Sequence, residues 1–587
     1  MAASAVTPLT GLPSWARAES TDADARLRAL LDASEAAQNR LDPLAAARRG
    51  QHPVETVFVD PLSDHYANTL LDNKTRERRR LLAIDRASLG PVGRIAYDVF
   101  RYRTEQTLEL FESGLFTISQ KTPLDASFGL QVELPDFVSS AGAPFATVAD
   151  YEKGLERLAG FSGSLQSTIT RLQQGLAEGY AQPQVIVSNV LRQVDAMLGI
   201  PVERSPFYHC ITTMPAQIAA ADRARLAAAY RRSIEQSVYP AYRSWKHYLT
   251  DTYLPRATRM PGRSAMKNSE ARYAADLAYH TTTRMSAEEI HALGLSEVAR
   301  IRGEMERTRV QVGFKGDLPQ FFDYIRKDPQ FYFTRPEQLL ARFREIEARI
   351  WPNIPRLFAR SPKARFEVQP LPALGDQRGT GYYRVGPADA SQPGILFFNM
   401  SMLGTRPIPT LETLTLHEGI PGHHFQLSLA QEDVTLPPLL RFGQSTAYSE
   451  GWGLYAESLG KELGMFEDPW QWFGHLDMEM LRAVRLVVDT GIHAKSWTRE
   501  QALAYMLGNT SMAPRDVEVE VDRYISAPGQ ACAYKVGELK LQELRQRATR
   551  ALGAKFDIRN FHEEVLDTGA LPLEVLERKI DDWIAGG

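Results

Sequence analysis

Three of the chain's 12 histidines fall within eight residues, in Leu416-His-Glu-Gly-Ile-Pro-Gly-His-His-Phe-Gln426, with Glu418 directly after the first of them. Zinc takes neutral imidazole nitrogens as ligands, and a carboxylate beside the first histidine can accept a proton from a water that the metal acidifies to a pKa near 7. A third ligand is at hand in Tyr448-Ser-Glu-Gly-Trp-Gly-Leu-Tyr-Ala-Glu457, where Glu450 lies on a second predicted helix. Three protein ligands leave a fourth position for water, which is the pattern of a catalytic rather than a structural site. Glu457 follows Glu450 by two helical turns on the same face, so it is a candidate to orient a ligand from behind.

The spacing of the histidines departs from the usual zinc motif, in which ligands at i and i+4 share a helix face with the glutamate at i+1. Here Pro421 occupies i+4. On a regular helix His424 would lie about 10.5 Å along the axis from His417, too far for one metal, and His423 would sit about 240° around it. The backbone must therefore bulge between Gly419 and Gly422, where a proline lacks the helical N–H and a glycine tolerates unusual dihedrals. If two residues are looped out, His423 becomes the second ligand, with His424 as the alternative.

Arg485, Asp489 and His493 recur at intervals of four and stack on one helix face, which would let Asp489 fix the tautomer of His493 and His493 donate to a tetrahedral intermediate. Tyr534 follows a Pro-Gly turn and is a candidate oxyanion donor. Arg523 and Lys535 are candidates to grip a substrate carboxylate, the guanidinium by a bidentate fork. The strand over 394–400 can pair with an extended peptide through an exposed edge, with Asn399 touching the peptide backbone. Trp452 and Tyr455 read as core.

The elements that position these groups are mostly helical. Apolar residues recur at three and four from Asp22 to Gly114, from Ala149 to Leu198 and from Pro215 to Tyr253, with a Gly-, Pro- and Thr-rich loop over 119–148. Ser286 followed by Glu289 is a capping box that opens a helix toward Arg309. Phe366-Glu-Val-Gln-Pro-Leu, Tyr382-Tyr-Arg-Val and Ile395-Leu-Phe-Phe-Asn are short β-prone runs, which predict a small sheet within 365–400, just before the metal helix. From Leu411 the pattern is helical almost to Ile584, with breaks at Gly508 to Pro514 and at Pro528-Gly529. The fold class is therefore mainly α. The expected organisation is a tail at 1–21, an N-terminal helical region at 22–260 and a C-terminal catalytic region at 261–587.

At 587 residues the chain exceeds what one core ordinarily serves. A formal charge of -3 leaves no broad basic field, so nucleic acid is not an expected partner. Two distant cysteines, Cys210 and Cys532, support neither a disulfide framework nor a thiolate zinc site and read as free thiols. No apolar run reaches the length of a membrane-spanning helix.

The motifs His417-Glu-x-x-Pro-Gly-His-His, Glu450-Gly-Trp-x-x-Tyr-x-Glu457, Arg485-Leu-Val-Val-Asp-Thr-Gly-Ile-His493 and Pro528-Gly-Gln-Ala-x-x-Tyr534-Lys-x-Gly537 together resemble the largely bacterial domain of unknown function 885 family. The resemblance runs from about Asp42 to near the C-terminus and includes Tyr239-Pro-Ala-Tyr242 and His280-Thr-Thr-Thr283. That family is similar to the thimet oligopeptidase and thermostable carboxypeptidase groups, which implies a helical zincin-like architecture with a deep central cleft, zinc as cofactor and short peptides as substrate. Residues 1–18 carry no charge before Arg17 and end in the small-x-small pattern Ala16-Arg17-Ala18, which with the resemblance implies export, to a periplasm, with a cytoplasmic location as the alternative. The expected reaction is amide hydrolysis, zinc held by His417, His423 and Glu450, Glu418 as general base, and Tyr534 or His493 steadying the oxyanion. Two other readings keep the metal: an amidase for a small non-peptide amide or conjugate, and a helical binding protein without turnover.

Overall fold

The structure, a computed structural model, describes residues 22–48, 58–127, 129–139, 145–371 and 381–586. The tail at 1–21, with its export pattern, lies outside the described residues. The amphipathic runs fold into helices, among them α1 (Asp22–Leu41), α2 (Asp64–Leu82), α3 (Pro91–Glu112), α4 (Val148–Glu178), α5 (Gln184–Leu198) and α6 (Tyr239–Tyr248). They begin where side chains can satisfy the first free N–H groups: Ser63 caps α2 and a Thr147/Asp150 capping box opens α4. Helix α7 is Ser269–Thr281 and α8 is Ala287–Gln311. The predicted Ser286/Glu289 box opens α8, with Ser286 N–H donating to Glu289 at 2.8 Å and Glu289 N–H to Ser286 Oγ at 3.3 Å.

After α9 (Pro336–Ile350) comes the one sheet among the described residues: β1 (Phe366–Pro370), β2 (Gly381–Arg384) and β3 (Gly394–Phe398), in the order β1-β3-β2. Strand β3 is parallel to β1 and antiparallel to β2, with Leu396 opposite both Val368 and Tyr383. This corrects the expectation of a free edge along 394–400. The run Gly394-Ile-Leu-Phe-Phe398 is buried at every position, as a wholly apolar strand paired on both sides should be. Asn399, at its end, is buried and accepts from Ser401 N–H at 3.1 Å and Ser401 Oγ–H at 2.8 Å, so it shapes the turn that leaves the sheet.

The remaining helices used below are α10 (His423–Glu432), α11 (Thr446–Ser458), α12 (Pro469–Ala494), α13 (Pro514–Ser526), α14 (Ala533–Leu552) and α15 (Leu573–Gly586). The protein is mainly α-helical with a small three-stranded sheet.

Two large apolar cores run through it, and neither follows the expected boundary near residue 260. One gathers α4 and α5 with Val298, Ile301 and Met305 of α8, Val484, Val487 and Val488 of α12, and Val517 and Val521 of α13. The other joins Leu27 and Leu30 of α1 and Val99 and Phe100 of α3 to Phe343 of α9, Phe398 of the sheet, Trp452 of α11, Leu541 of α14 and Leu576 of α15. The first helices and the last thus share one interior, because their apolar stripes are completed by each other and not by their chain neighbours. Cys210 and Cys532 are unpaired and buried, and no described helix is long and apolar enough to cross a membrane.

Candidate metal centre

The segment before the first histidine is pinned from two sides. Glu412 is buried and accepts from Arg342 Nη2 at 3.1 Å and Arg349 Nη1 at 2.9 Å, both on α9, and from the Phe466 N–H at 2.7 Å. A short helix, Leu411–Leu414, widens into a π-helical turn over Thr415–Gly419 that carries His417 and Glu418. The helix stops at Ile420-Pro421, and α10 restarts at His423 after Gly422, whose backbone stands at φ -75° and ψ -126°. The expected bulge is therefore a wide turn followed by a break. Trp452 fixes it by donating its indole N–H to the Pro421 carbonyl at 2.9 Å.

This break brings His417 and His423 to one side, with ring centroids 4.7 Å apart and planes at 78°. Glu450, on α11, lies 3.5 Å from His417 Nε2 and 3.4 Å from His423 Nε2 through its Oε2. All three ligand atoms fall within 4.8 Å of one another. Two nitrogens or oxygens on a tetrahedral zinc with bonds near 2.1 Å are about 3.4 Å apart, so the two imidazole–carboxylate separations already match the edge of a zinc site. His424 is not in this group. It is buried, its Nδ1 lies 2.9 Å from the Tyr383 hydroxyl, and burial lowers its pKa to about 4. Consecutive residues on α10 point about 100° apart, so once His423 faces Glu450, His424 is turned toward the sheet.

Glycines set the approach of the helices. A Cβ on Gly453 would meet His417 Cε1 at 2.6 Å, so the imidazole lies against bare backbone of α11. Two residues earlier, a Cβ on Gly451 would meet Gly537 Cα at 2.6 Å, and one on Gly537 would meet the Ala447 carbonyl oxygen at 1.8 Å. Helices α11 and α14 thus touch through backbone, which carries Tyr534, one turn before Gly537, toward Glu450.

Behind the cluster, Glu457 is buried and accepts from His417 Nδ1 at 2.8 Å, which turns Nε2 toward Glu450 and His423. Arg482 of α12, a residue that sequence reasoning passed over, lies 3.4 Å from the same carboxylate oxygen. Burial disfavours a charged His417, but its hydrogen bonds to Glu450 and Glu457 and the charges of Glu457 and Glu418 outweigh it and raise its pKa to about 9. Burial likewise works against ionised Glu450, and His417 and His423 overcome it, holding the carboxyl well below its usual range.

Glu418 is partly buried next to His417, and its charge reaches both His417 and Tyr383. Among the described residues nothing hydrogen-bonds or ion-pairs with its carboxylate. Tyr383, of β2, is a second residue the sequence left unmarked; its only signal was position in an alternating strand. Tyr534 is partly buried, and its phenol is pushed up by burial and by the charge of Glu450, against Arg485 and Arg523.

Three expected roles do not survive the geometry. Asp489 does not touch His493: its Oδ1 accepts from the Tyr273 hydroxyl at 2.5 Å and from the Gly529 N–H at 2.9 Å. His493 instead accepts from the Arg263 N–H at Nδ1, 3.1 Å, and donates from Nε2 to the Tyr524 carbonyl at 3.0 Å, so neither nitrogen is left for an oxyanion. The shared helix face was real, but backbone groups of the packed segments reach both side chains first. His493 also lines a cavity of about 210 Å³ with Gln182, Arg263 and Ser526, to which none of the cluster residues contributes. Lys535 is fully buried and ion-pairs with Glu479 at 2.7 Å, Glu538 at 2.8 Å and Glu297 at 3.2 Å, so it is a structural cation and not a substrate hook. Arg523 hydrogen-bonds Gln530 at 2.5 Å and Glu520 at 2.9 Å.

The family described as "Bacterial protein of unknown function (DUF885)" matches residues 43–580, and the chain belongs to it. A search of curated proteins finds no match. Among solved structures, a "putative lipoprotein" from Colwellia psychrerythraea aligns with a TM-score of 0.85 and 27% identity, over 97% of this chain and 100% of that one. A "putative lipoprotein of unknown function" from Shewanella oneidensis aligns with a TM-score of 0.70 and 16% identity, over 95% and 99% of the two chains.

Proposed function

We propose that this member of the DUF885 family is a zinc-dependent hydrolase of amide bonds in short peptides. The observation that carries the reading is Glu450 at zinc-edge separations from both His417 and His423, all three ligand atoms within 4.8 Å of one another, with the unengaged carboxylate of Glu418 adjacent. A zinc ion held by these three would polarise the scissile carbonyl and make water acidic enough to attack near neutral pH. Glu418 takes the proton of the attacking water and returns it to the leaving amine. Tyr534 donates its O–H to the oxyanion that forms as the carbonyl becomes tetrahedral. Glu457 holds His417 in the tautomer whose Nε2 faces the cluster.

The helical zinc-peptidase architecture, with a cleft that admits an extended substrate, belongs to the same proposal. It is supported by the motif His417-Glu-x-x-Pro-Gly-His-His and by Glu450 on a second helix, as in the thimet oligopeptidase and thermostable carboxypeptidase groups that the sequence resembles. Export is supported by the pattern Ala16-Arg17-Ala18 and by the description of the Colwellia relative as a lipoprotein.

The test is metal analysis of the purified protein beside assays on a panel of short peptides and small amides. One zinc per chain is expected, with peptide cleavage abolished by a chelator and restored by zinc. Glu418→Gln should keep the zinc and lose cleavage by roughly 10²- to 10⁴-fold, the range for general base catalysis. A chain free of stoichiometric metal, or a Glu418→Gln protein as active as the wild type, overturns the proposal.

A further inference from the structure

Next to the metal cluster lies a pair of guanidinium groups, Arg485 buried and Arg523 half-buried, that the site described above does not use. Arg485 of α12 stands with its guanidinium carbon 4.3 Å from the ring centre of Tyr534. Gln530 links Arg523 of α13 to the same residue, 2.5 Å from Arg523 Nη1 and 3.5 Å from the Tyr534 hydroxyl. Tyr534 lies on α14 one turn before Gly537, where that helix meets Gly451, the residue after Glu450.

The two cations share a single carboxylate. Glu520 Oε2 accepts from Arg485 Nη2 at 2.9 Å, from Arg523 Nη2 at 2.9 Å and from the Tyr524 hydroxyl at 2.6 Å. Arg485 Nε is engaged by the Tyr524 oxygen at 3.1 Å, and Arg523 Nη1 by Gln530 at 2.5 Å. Arg485 is 6% exposed, and its Nη1 is buried without a hydrogen-bond partner among the described residues. Two positive groups against one negative leave an excess charge in the interior, and an orphan guanidinium N–H is there to receive an acceptor. Buried charge and buried donors are ordinarily matched, and a guanidinium's best match is a carboxylate.

We propose that Arg485 and Arg523 form a carboxylate-binding subsite beside the metal centre, and that the group it takes is the C-terminal carboxylate of a short peptide. This rests on the hydrolase reading for its position relative to the scissile bond: with the carboxylate anchored where Arg485 stacks on Tyr534, the carbonyl that Tyr534 assists belongs to the bond nearest that end. The enzyme then removes residues from the C-terminus, and peptides with a blocked end are poor ligands.

The experiment measures binding apart from turnover. Zinc-loaded wild type, Glu418→Gln and Arg523→Gln are titrated in a calorimeter with N-acetyl-alanyl-leucine, with its C-terminal amide, and with N-acetyl-glutamyl-leucinamide, whose only carboxylate is a side chain. The free acid should bind wild type and Glu418→Gln on the order of 10- to 100-fold more tightly than either amide, the range for hydrogen bonds to charged groups. Arg523→Gln, a partly exposed position whose variant is checked for zinc content and thermal melting, should lower that ratio toward one while leaving amide affinity unchanged. Retention of the full ratio in Arg523→Gln would place the carboxylate on the metal and overturn the subsite. Equal binding of acid and amide to wild type, failure of the acid to bind, or preference for the glutamyl probe would overturn it as well. Selective acid binding without cleavage of any peptide leaves the subsite standing and sinks the hydrolase reading; cleavage of acid and amide at equal rates does the reverse.

Discussion

The carboxylate of Glu457 accepts the Nδ1 hydrogen of His417 at 2.8 Å from a position two turns beyond Glu450 on the same helix. One element therefore carries both a proposed ligand and the group that orients another proposed ligand, so under the zinc reading the two roles cannot drift apart.

Replacing Glu457 by Gln keeps an acceptor of similar shape but removes the charge that faces His417 and Arg482. Zinc affinity, measured by competition with a chromogenic chelator, should fall about 10- to 100-fold, as is usual when a partner behind a metal-bound histidine is altered. An affinity equal to wild type would show that Glu457 braces the fold without tuning the site.

Tyr534→Phe should retain zinc and substrate affinity and lose kcat by about 10²- to 10³-fold, the effect of removing one oxyanion donor. Because burial and the charge of Glu450 raise the phenol above its ordinary value near 10, the donor stays protonated through neutral and mildly alkaline pH. A variant with unchanged kcat removes Tyr534 from the chemistry.

Lys535→Met leaves Glu297, Glu479 and Glu538 without the cation they share. Breaking a buried ion network by deleting one partner costs about 3–5 kcal/mol, so chemical denaturation should show a loss of that order, while KM of the folded fraction is unchanged. A raised KM with normal stability would return Lys535 to the role of substrate ligand.

Asp489 carries a pKa pushed up to about 7, by burial first and by Asp276, against hydrogen bonds from Tyr273, Gly529 and Cys532. A carboxyl that holds its proton more tightly when folded than when unfolded contributes stability at low pH and loses it as pH rises from about 4 through 7. Asp489→Asn removes this titration. Its stability relative to wild type should rise across that window by at most about 1.4 kcal/mol per pH unit and level off above it. Parallel denaturation curves at pH 5 and pH 8 with no change in the difference would contradict the raised pKa.

Much of the architecture was legible because periodicity and capping are local. The Ser286/Glu289 box, the three strands and the helical tracts follow from neighbours in sequence, and Pro421 announced the break that selects His423. Partners hidden from periodicity were misjudged. Asp489 and His493 do share a face, yet the Gly529 and Arg263 backbone N–H groups that claim them lie far away in the chain. Lys535 reads in sequence as a cation free to grip a substrate because nothing nearby reveals that Glu297 and Glu479 converge on it. Arg482 and Tyr383 gave no signal beyond a charge in an apolar helix and a tyrosine in an alternating strand. The sharing of one interior by the first and last helices is hidden for the same reason: a core assembled from both ends of the chain leaves no seam in composition.

The backbone contact of Gly451 with Gly537 has a mechanical side. Two helices that meet without intervening side chains have no lever by which one can rock on the other, so Glu450 and Tyr534 ride on a single stiff strut. Under the proposed hydrolase reading, any breathing that admits substrate hinges outside that strut, and the span from Glu450 to Tyr534 should hold constant while the walls around it open.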